Sequence, residues 1–327
     1  MALSGQVVKS YVEKHPKLPS LTLAKKIFAE QTSLFRDEEH CRSLIRYYRG
    51  NHGKKARKNC TDKTNHRPNQ KAGYIPHGVR RTYRPLTIQQ PGSYLILSDM
   101  HTPYHDEQAI ELAIERGLSE GCTGVILNGD SIDFYQLSKF NKDPRERSPK
   151  DEITVLRKML HQLNQRFEHC YFKAGNHEDR WEMMIFDRHP YLADFEELDL
   201  QNILHLKDHG FKYIPSKQWI RLSKLNILHG HEVPRGISTT VNPARTLWLR
   251  VKQTALVAHH HRSSQHNENH PMEGKITCTW SIGCLCDTHP TWSPLNEWNL
   301  GFAIVDVTPS RFEVQNYLIQ SGSVYEI

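Results

Sequence analysis

The chain of 327 residues has few of the features that place a protein in or across a membrane. Its longest uninterrupted apolar stretches, such as residues 94–97, are a few residues long, whereas a membrane-spanning helix needs about 20. The N-terminal residues contain no apolar segment of the kind that a secretory signal requires. We therefore expect no membrane partner and a cytoplasmic location.

The sequence also lacks a disulfide framework and an internal repeat. Its seven cysteines are odd in number and irregularly spaced, which favours reduced thiols. Apolar residues make up 37% of the chain and charged residues 24%, as in an ordinary globular protein, so fibrous and wholly disordered classes are excluded. At about 150 residues per domain, the length predicts about two domains.

The net charge of +7 conceals an uneven distribution along the chain. Residues 1–92 contain 19 Lys and Arg against 6 Asp and Glu, a net charge of +13, so the rest of the chain carries −6. Between His40 and Arg84 there are 13 basic side chains and a single acidic one, Asp62. Such a segment favours contact with a polyanion, and we expect nucleic acid as a partner.

The first fifty residues have the apolar spacing of three short helices. One apolar face over residues 7–12 stops at Pro16, a second over residues 21–28 follows Ser20 as a candidate N-cap, and a third helix is expected over about residues 37–48. A basic last helix is typical of a helix-turn-helix-like unit, with a protein-docking bundle and a plain structural extension as alternatives. The predicted nucleic-acid contacts are exposed basic side chains of the third helix and the segment after it: Arg42, Arg46, Arg49, Lys54, Lys55, Arg57 and Lys58.

The chain is predicted to have three segments: a helical domain at 1–53, a basic linker or arm at 54–92, and an α/β domain at 93–327. In the last, strands are expected over residues 93–99, 124–130 and 170–176, with helices over about 106–118 and 151–166 between them. A hairpin around Ser223 and Lys224, a strand that ends in histidines, and two closing strands near the C-terminus follow. Mixed α/β layering is the expected architecture.

Side chains that can bind metals follow these strands. They are Asp99 and His101, then Asp130 and Asp133, then Asn176 and His177, then His229 and His231, and finally residues 259–261. In layered α/β folds the carboxyl ends of strands meet in one crevice. Asp, Asn and His without cysteine suit borderline divalent ions, so we expect two such ions, with Mn²⁺ favoured over Fe or Zn.

The local spacing agrees with this expectation. In an extended segment Asp99 and His101 point to one side, with Met100 pointing away, and His259 and His261 have the same relation. The two oxygens of the Asp130 carboxylate are able to bridge two ions. Two ions roughly 3.5–4 Å apart clamp a phosphate and generate hydroxide at neutral pH.

The order of the motifs D-x-H, GD-x-x-D, GNHE, HG and x-H-x-H resembles the calcineurin-like metallophosphoesterase superfamily over about residues 93–327. Phage-type members with an N-terminal basic helical region are similar, which implies the host cytoplasm as the location if the protein is phage-encoded. The resemblance implies an α/β fold of two mixed β-sheets in a sandwich flanked by helices. One departure is Ala258, which stands where the last motif usually begins with glycine.

The resemblance also implies the roles of individual residues. Asp99, His101, Asp130 and His261 would hold the first metal, and Asp130, Asn176, His229 and His259 the second. His177 would lie beside the substrate as a general acid or transition-state stabiliser, so Asp130 and His177 are the implied catalytic residues.

We expect a dinuclear-metal phosphoesterase, foremost a phosphodiesterase or nuclease that acts through metal-activated hydroxide. A phosphomonoesterase, such as a protein phosphatase or nucleotidase with a docking module, is one alternative. A nucleic-acid-binding protein with a vestigial metal centre is another. Candidate substrate contacts are Arg180, His231 and Arg145, the last in a loop that also carries Lys139, Lys142 and Arg147. Cys278, Cys284 and Cys286 match no closed zinc pattern and are expected to be ordinary thiols.

Overall fold

The computed structural model describes residues 3–58, 60, 78–80, 82–140, 143, 145, 148–233 and 241–327. The chain divides into two compact units, Met1–Arg81 and Thr82–Ile327. Much of the segment predicted as a basic arm, together with Lys142 and Arg147, lies outside the described residues. Within the described ranges, every helix is too short or too polar to cross a bilayer.

The first unit is helical, and its first three helices confirm the sequence prediction. Their apolar stripes form one core that includes Val8, Ile27 and Ile45. A fourth short helix occupies the beginning of the segment predicted as a linker, where it buries Ala56. The connection between the second and third helices, residues 31–37, is longer than the three- to four-residue turn of a helix-turn-helix motif. The helices are α1 (Leu3–Lys14), α2 (Ser20–Glu30), α3 (Glu38–Tyr48) and α4 (Gly53–Lys58).

Two details of this unit differ from the prediction. Ser20 is the first residue of α2 rather than its N-cap, and the N-cap position is Pro19, which makes no side-chain capping bond. Arg42, Arg46 and Arg49 are half-buried rather than exposed, and burial lowers the pKa of Arg49. Its guanidinium donates to the Ser20 hydroxyl at 2.9 Å, to the carbonyl of His15 at 3.2 Å and to that of Pro16 at 3.4 Å. Arg49 therefore fastens the connection between α1 and α2 to the end of α3.

Substitution of Arg49 tests this structural role. Arg49→Ala removes three hydrogen bonds from a charged donor and is expected to destabilise the helical unit by about 1–3 kcal/mol. Arg42→Ala is the control, because Arg42 makes an exposed ion pair with Glu39 at 3.2 Å that contributes little. Hydrogen–deuterium exchange of the amides in α1 and α2 should accelerate in Arg49→Ala alone. Equal exchange rates in the two variants would contradict the role.

The second unit contains two mixed β-sheets. The first has seven strands in the order β13-β12-β11-β2-β3-β4-β5, in which β2 to β5 are parallel and the others antiparallel. The second has six in the order β1-β6-β7-β8-β10-β9. The strands are β1 (Leu86–Ile88), β2 (Gly92–Leu97), β3 (Gly124–Asn128), β4 (His169–Lys173), β5 (Phe211–Ile214), β6 (Ile220–Leu222), β7 (Leu225–Ile227), β8 (Ala255–Val257), β9 (Ser264–His270), β10 (Lys275–Ser281), β11 (Leu300–Val307), β12 (Phe312–Gln320) and β13 (Ser323–Glu326).

Helices cover the outer faces of the two sheets. Alternate residues of β2 show the layering, since Tyr94 and Ile96 pack between the sheets while Leu95 and Leu97 pack against the helices. On the far side, Leu247 packs on β8. The sandwich of two mixed sheets flanked by helices confirms the predicted fold class. The helices of this unit are α5 (Glu107–Ser119), α6 (Pro149–Asn164), α7 (Asp179–Arg188), α8 (Leu200–Ile203) and α9 (Pro243–Val251).

Most of the predicted elements of this unit lie within two residues of the observed ones. The predicted hairpin is confirmed, because β6 and β7 pair antiparallel around Ser223 and Lys224. The N-terminal edge differs, however. Leu86–Ile88 lies in the segment predicted as an arm, yet it pairs in parallel with β6. Ile88 is buried between the sheets, so the α/β unit begins before residue 93.

Candidate metal centre

The candidate ligands follow five strands of the two sheets. Asp99 and His101 come after β2, Asp130 after β3 and Asn176 after β4, while His229 follows β7, and His259 and His261 follow β8. Parallel strands end at one edge of a sheet, and the sandwich brings the ends of both sheets together. The structure thus places all seven predicted ligands in one crevice.

The first predicted ligand set converges at the imidazoles of His101 and His261. Their Nε2 atoms are 3.2 Å apart, and His261 Nε2 is also 3.2 Å from Asp99 Oδ1. Asp130 Oδ2 is 4.0 Å from His101 Nε2. These are the atoms with which the predicted first set would hold a cation.

The second predicted set converges at His229. Its Nε2 is 3.2 Å from Asp130 Oδ2 and 3.3 Å from Asn176 Oδ1. Asp130, His229 and His259 have ligand atoms close enough together to share an ion. Asp130 Oδ2 therefore belongs to both groups, which is the position that a bridging carboxylate would need.

The hydrogen bonds around the two groups test whether the residues fit metal ions. Nδ1 of His101 lies 2.9 Å from Asp133 Oδ1, and Nδ1 of His229 lies 2.8 Å from the carbonyl of Asn128. These acceptors hold the Nδ1 proton, so in the neutral ring the lone pair is on Nε2, where it faces carboxylate and amide oxygens. Asp99 Oδ1 is buried without a hydrogen-bond donor. Once these histidines are neutral, the electron pairs converge without a proton between them and suit divalent cations, and the residues fit two.

The charges of the crevice also favour the binding of cations. Burial alone lowers the pKa of His229 and of His261, but Asp130 and Asp99 outweigh it and raise those pKa values to about 9 and about 10. Burial raises the pKa of Asp99 and Asp130, but the neighbouring histidines lower both below the usual value. Burial and the charge of His229 lower the pKa of His259 to about 3. The negative potential that holds protons on His229 and His261 is the potential that attracts metal ions.

The backbone around the ligands is left-handed, so the predicted extended geometry is wrong. Asp99 and His101 have φ of 52° and 46°, and His259 and His261 have φ of 68° and 54°. A non-glycine residue in this conformation costs on the order of 1 kcal/mol or more, and such residues cluster at functional sites. The side chains converge because the backbone of each segment bends at these left-handed residues. They do not converge through the alternation of side chains along a β-strand.

Two glycines allow the loops after the strands to approach one another. Gly129 has φ of 93°, and a Cβ on it would overlap the ring of His229. A Cβ on Gly175 would overlap Asp130 Oδ1. Close contact therefore requires both glycines, and at Gly129 the backbone conformation requires one as well.

Glu178 holds two of these loops together, a role that the sequence did not reveal. Its buried carboxylate accepts hydrogen bonds from the backbone N–H of Gly175 at 2.7 Å, of Asp130 at 2.9 Å and of Ser131 at 2.7 Å. Burial and the charge of Asp130 raise the pKa of Glu178 to about 7, while the Gly175 N–H acts in the opposite direction. The available signal was its position as the fourth residue of GNHE.

Asp133 connects the first metal group to His177. Its Oδ1 is 2.9 Å from His101 Nδ1 and 3.0 Å from His177 Nδ1, and the two histidines lower its pKa against the effect of burial. The sequence placed Asp133 in the GD-x-x-D motif without a role. A second buried carboxylate, Glu152, accepts from the backbone N–H of Phe134 and Tyr135 and fixes the loop that carries Asp133.

The three predicted substrate contacts have different positions. Arg180 lies beside the centre, where it donates to the carbonyl of Asp133 at 2.8 Å and to His177 Nε2 at 2.9 Å. It lines the neighbouring groove rather than the central cavity. Arg145 is exposed and pairs with Asp143. His231 packs beside His229, with ring centroids 5.3 Å apart, and burial lowers its pKa to about 4. The cavity at the centre is not lined by Arg145 or His231 among the described residues.

That cavity has a volume of about 310 Å³ and a wall that the sequence did not predict. Besides candidate ligands, it is lined by Cys286, a buried free thiol with Sγ 3.9 Å from His261 Nδ1. Cys286 is close enough to His101 and His261 to share an ion with them. Ala258, which replaces the usual glycine, is fully buried between the sheets. Four aromatic side chains, Tyr104, Tyr135, Trp292 and Trp298, line it as well, together with Asp133, Asp287, Pro290 and Thr291.

A crevice of Asp, Asn and His side chains at the strand ends of this sandwich defines a metal-dependent hydrolase of phosphoric esters. The family model of the calcineurin-like phosphoesterases matches residues 92–283, more than half of the chain. The chain belongs to this family. None of the curated proteins with which it was compared matches it.

Several solved structures are similar to this chain. Vacuolar Protein Sorting 29 from Cryptosporidium parvum is 13% identical, with 72% of this chain and 96% of the other covered and a TM-score of 0.41. Yfce, a phosphoesterase from E. coli, is 14% identical, with coverage of 72% and 98% and a TM-score of 0.38. A metallophosphoesterase from Sphaerobacter thermophilus is 14% identical, with coverage of 68% and 87% and a TM-score of 0.35. The family assignment rests on the match over residues 92–283.

Removal of the shared carboxylate charge tests the dinuclear centre. Asp130→Asn replaces the carboxylate that lies in both groups with a neutral amide, so we expect the protein to lose metal at both positions. Metal content per chain, measured by mass spectrometry after dialysis against Mn²⁺ and a chelator-treated buffer, should fall from about two to below one. Asp208→Asn is the control, because Asp208 is an exposed aspartate outside the crevice. Retention of two ions by Asp130→Asn would contradict the arrangement.

Proposed function

We propose that the protein is a phosphodiesterase or nuclease that hydrolyses nucleic-acid phosphodiesters. The observation that carries the proposal is the net charge of +13 in residues 1–92, next in sequence to a phosphoesterase unit of charge −6. By itself, an enzyme unit with a net negative charge does not attract a polyanionic substrate. A basic segment in the same chain supplies that attraction, and its effect is independent of nucleic-acid sequence.

Contacts within the helical unit reduce the set of basic side chains that are available to bind phosphate. Arg49 bonds within the helical unit, and Arg42 and Arg46 both pair with Glu39. By contrast, the lysines of α4 are exposed and Arg57 is half-buried. The side chains that we propose for phosphate binding in this unit are therefore Lys54, Lys55, Arg57 and Lys58.

A groove with three cationic side chains beside the metal centre also supports an extended substrate. This groove has a volume of about 500 Å³, and its lining combines Lys139, Arg180 and Arg188 with the carboxylate of Asp187 and the apolar side chains of Leu137, Phe140, Met183 and Met184. The candidate ligand Asn176 lines both the groove and the central cavity. A phosphate next to the scissile one would find cations there, whereas an isolated phosphate monoester would make no use of them.

In this proposal, two bound divalent ions, Mn²⁺ foremost, supply the positive charge that binds the phosphate and acidifies water. His177 supplies the proton for the leaving oxygen. Its Nδ1 is held by the carbonyl of Asp133 at 2.9 Å and by the Asp133 carboxylate at 3.0 Å, so the ring has one orientation. That carboxylate stabilises the protonated ring, as the aspartate of a catalytic triad does.

Arg180 forms a hydrogen bond with Nε2, the second ring nitrogen of His177. Burial lowers the pKa of His177, and its Nε2 accepts a hydrogen bond from Arg180 Nη2. In this state His177 holds no proton toward the cavity. An incoming phosphate offers oxygens to the guanidinium, and Nε2, once released, takes up a proton from water and donates it to the leaving oxygen.

A nuclease assay tests the proposed chemistry. The full chain with Mn²⁺ should cleave single- or double-stranded DNA or RNA, and Asp130→Asn should lower the rate by more than about 100-fold, since the ions would be lost. Asp208→Asn should cleave at the wild-type rate. Hydrolysis of nitrophenyl phosphate without hydrolysis of any diester would favour a phosphomonoesterase. No turnover of either ester with any metal would favour a binding protein.

Charge reversal in α4 tests the proposed nucleic-acid contact in the full chain. The triple variant Lys54→Glu, Lys55→Glu, Lys58→Glu should bind DNA or RNA at least about 10-fold more weakly in 100 mM salt, and its affinity should depend less steeply on salt. The matched variant Lys14→Glu, Lys25→Glu, Lys26→Glu changes the charge of the unit equally, at other exposed positions. Equal losses in fluorescence anisotropy titrations would show that net charge, rather than α4, binds the nucleic acid.

A further inference from the structure

Four aromatic side chains form one wall of the cavity at the metal centre. Tyr104, Tyr135, Trp292 and Trp298 line this cavity together with the candidate ligands, and we call the four the aromatic arc. Neither the predicted ligand set nor the proposed mechanism uses them. Their position next to the site of hydrolysis raises the question of what part of a substrate they contact.

The arc begins at the metal ligands and extends outward in two pairs. The ring of Trp298 lies 4.2 Å from that of His261, and Trp292 meets Trp298 edge to face at 5.4 Å. Tyr104 and Tyr135 form a second edge-to-face pair at 6.3 Å. A backbone hydrogen bond links the two pairs. The N–H of Asp287, in the connection between β10 and β11 that carries both tryptophans, donates to the carbonyl of Tyr104 at 2.8 Å.

Trp292 presents its ring to solvent at the edge of this cavity. It is 69% exposed, although tryptophan is among the side chains that gain most from burial. An exposed indole beside a cleft gives a flat ligand ring a surface on which to stack, and base–aromatic stacking needs no particular hydrogen bonds. The arc is therefore suited to a planar aromatic group.

The groove next to the cavity has a different lining. It carries three cations, Lys139, Arg180 and Arg188, among apolar side chains, and Asn176 lines both the groove and the cavity. A substrate that crosses Asn176 thus meets cations on one side and aromatic rings on the other. Alternating phosphates and planar rings are the composition of a nucleic-acid strand, and only an unpaired strand leaves the face of a base free.

We propose that the aromatic arc is a base-binding subsite, which stacks the nucleobase next to the scissile phosphate of single-stranded nucleic acid. This inference rests on the proposed diesterase function and specifies its substrate. Since every base has a π-face, the subsite accepts all four bases and rejects paired ones. The enzyme is then selective for unpaired nucleotides by shape rather than by sequence.

The first test compares substrates that differ only in a base. The dinucleotide d(TpT) and its two analogues that each lack one thymine are offered to the full-length protein with Mn²⁺. Loss of the base that stacks on the arc should lower kcat/KM by roughly 5- to 150-fold, the usual effect of one base–aromatic stack. Trp292→Ala should lower kcat/KM for d(TpT) to the same extent and leave the analogue without that base unaffected, while Trp292→Phe should retain most of the activity.

The controls separate stacking from damage to the centre. Trp298 is left intact, because its ring contacts the candidate ligand His261. Tyr191→Ala removes an aromatic ring that is 71% exposed and lies outside the cavity, so it should change no rate. Metal content should be the same in all variants.

A binding measurement provides a readout that does not depend on hydrolysis. The methylphosphonate analogue of d(TpT) has no charge at phosphorus, so the metal-free crevice does not repel it. Calorimetry in chelator should give a dissociation constant that Trp292→Ala raises roughly 5- to 150-fold and Tyr191→Ala leaves unchanged.

The outcomes distinguish the two proposals. If d(TpT) and both analogues are cleaved equally, the diesterase stands and the base-binding subsite is overturned. If no diester is cleaved with any metal, the proposed function fails, and calorimetry still decides whether the arc binds a base. Preferential hydrolysis of a phosphotyrosine peptide, with loss of that preference in Trp292→Ala, would assign the arc to a protein side chain and overturn the inference.

Discussion

The structure of the α/β unit depends on one unfavourable arrangement, the convergence of buried electron-pair donors at the edge of two sheets. Asp99 and Asp130 are almost completely buried; Nε2 of His229 faces Asp130, and Nε2 of His261 faces Asp99. Without a cation, such a group is stable only if the histidines hold protons, and the raised pKa of His229 reflects that demand. Bound divalent ions would relieve it, so catalysis and stability would place the same requirement on this crevice.

Much of the surrounding structure maintains that arrangement. Gly129 and Gly175 let the loops approach, Glu178 holds the backbone of both, and Asp133 orients two histidines at once. Left-handed backbone at the ligands adds strain that the two packed cores must offset. The ligand residues are thus placed by neighbours that make no contact with metal themselves, which is why substitution of such neighbours is expected to affect metal binding indirectly.

The sequence predicted the parts of the fold in which local pattern and tertiary packing agree. Helices α1 to α3, α5 and α6 have apolar stripes, and β2 and β3 are continuous apolar runs, so their positions were predicted to within a few residues. The elements that it missed are short or polar, such as β1, α4 and the strand β9 with its alternating exposure. Leu86–Ile88 forms a strand because β6 lies beside it, and no local signal specifies such a neighbour.

By itself, the sequence determined which residue types follow each strand, and hence the chemistry of the metal centre and the family. It also determined the separation of a basic segment from an acidic one. Only the tertiary structure decided how these residues are used, because contacts between residues distant in the chain have no local pattern. Arg49, predicted at the surface, makes hydrogen bonds within the helical unit. Glu178 accepts hydrogen bonds from four backbone N–H groups. Trp298 lies beside His261, and Trp292 lies beside Trp298. The ligands were legible in sequence because each follows a strand, whereas the wall that would receive a substrate comes from loops, whose course is set by the elements that they connect.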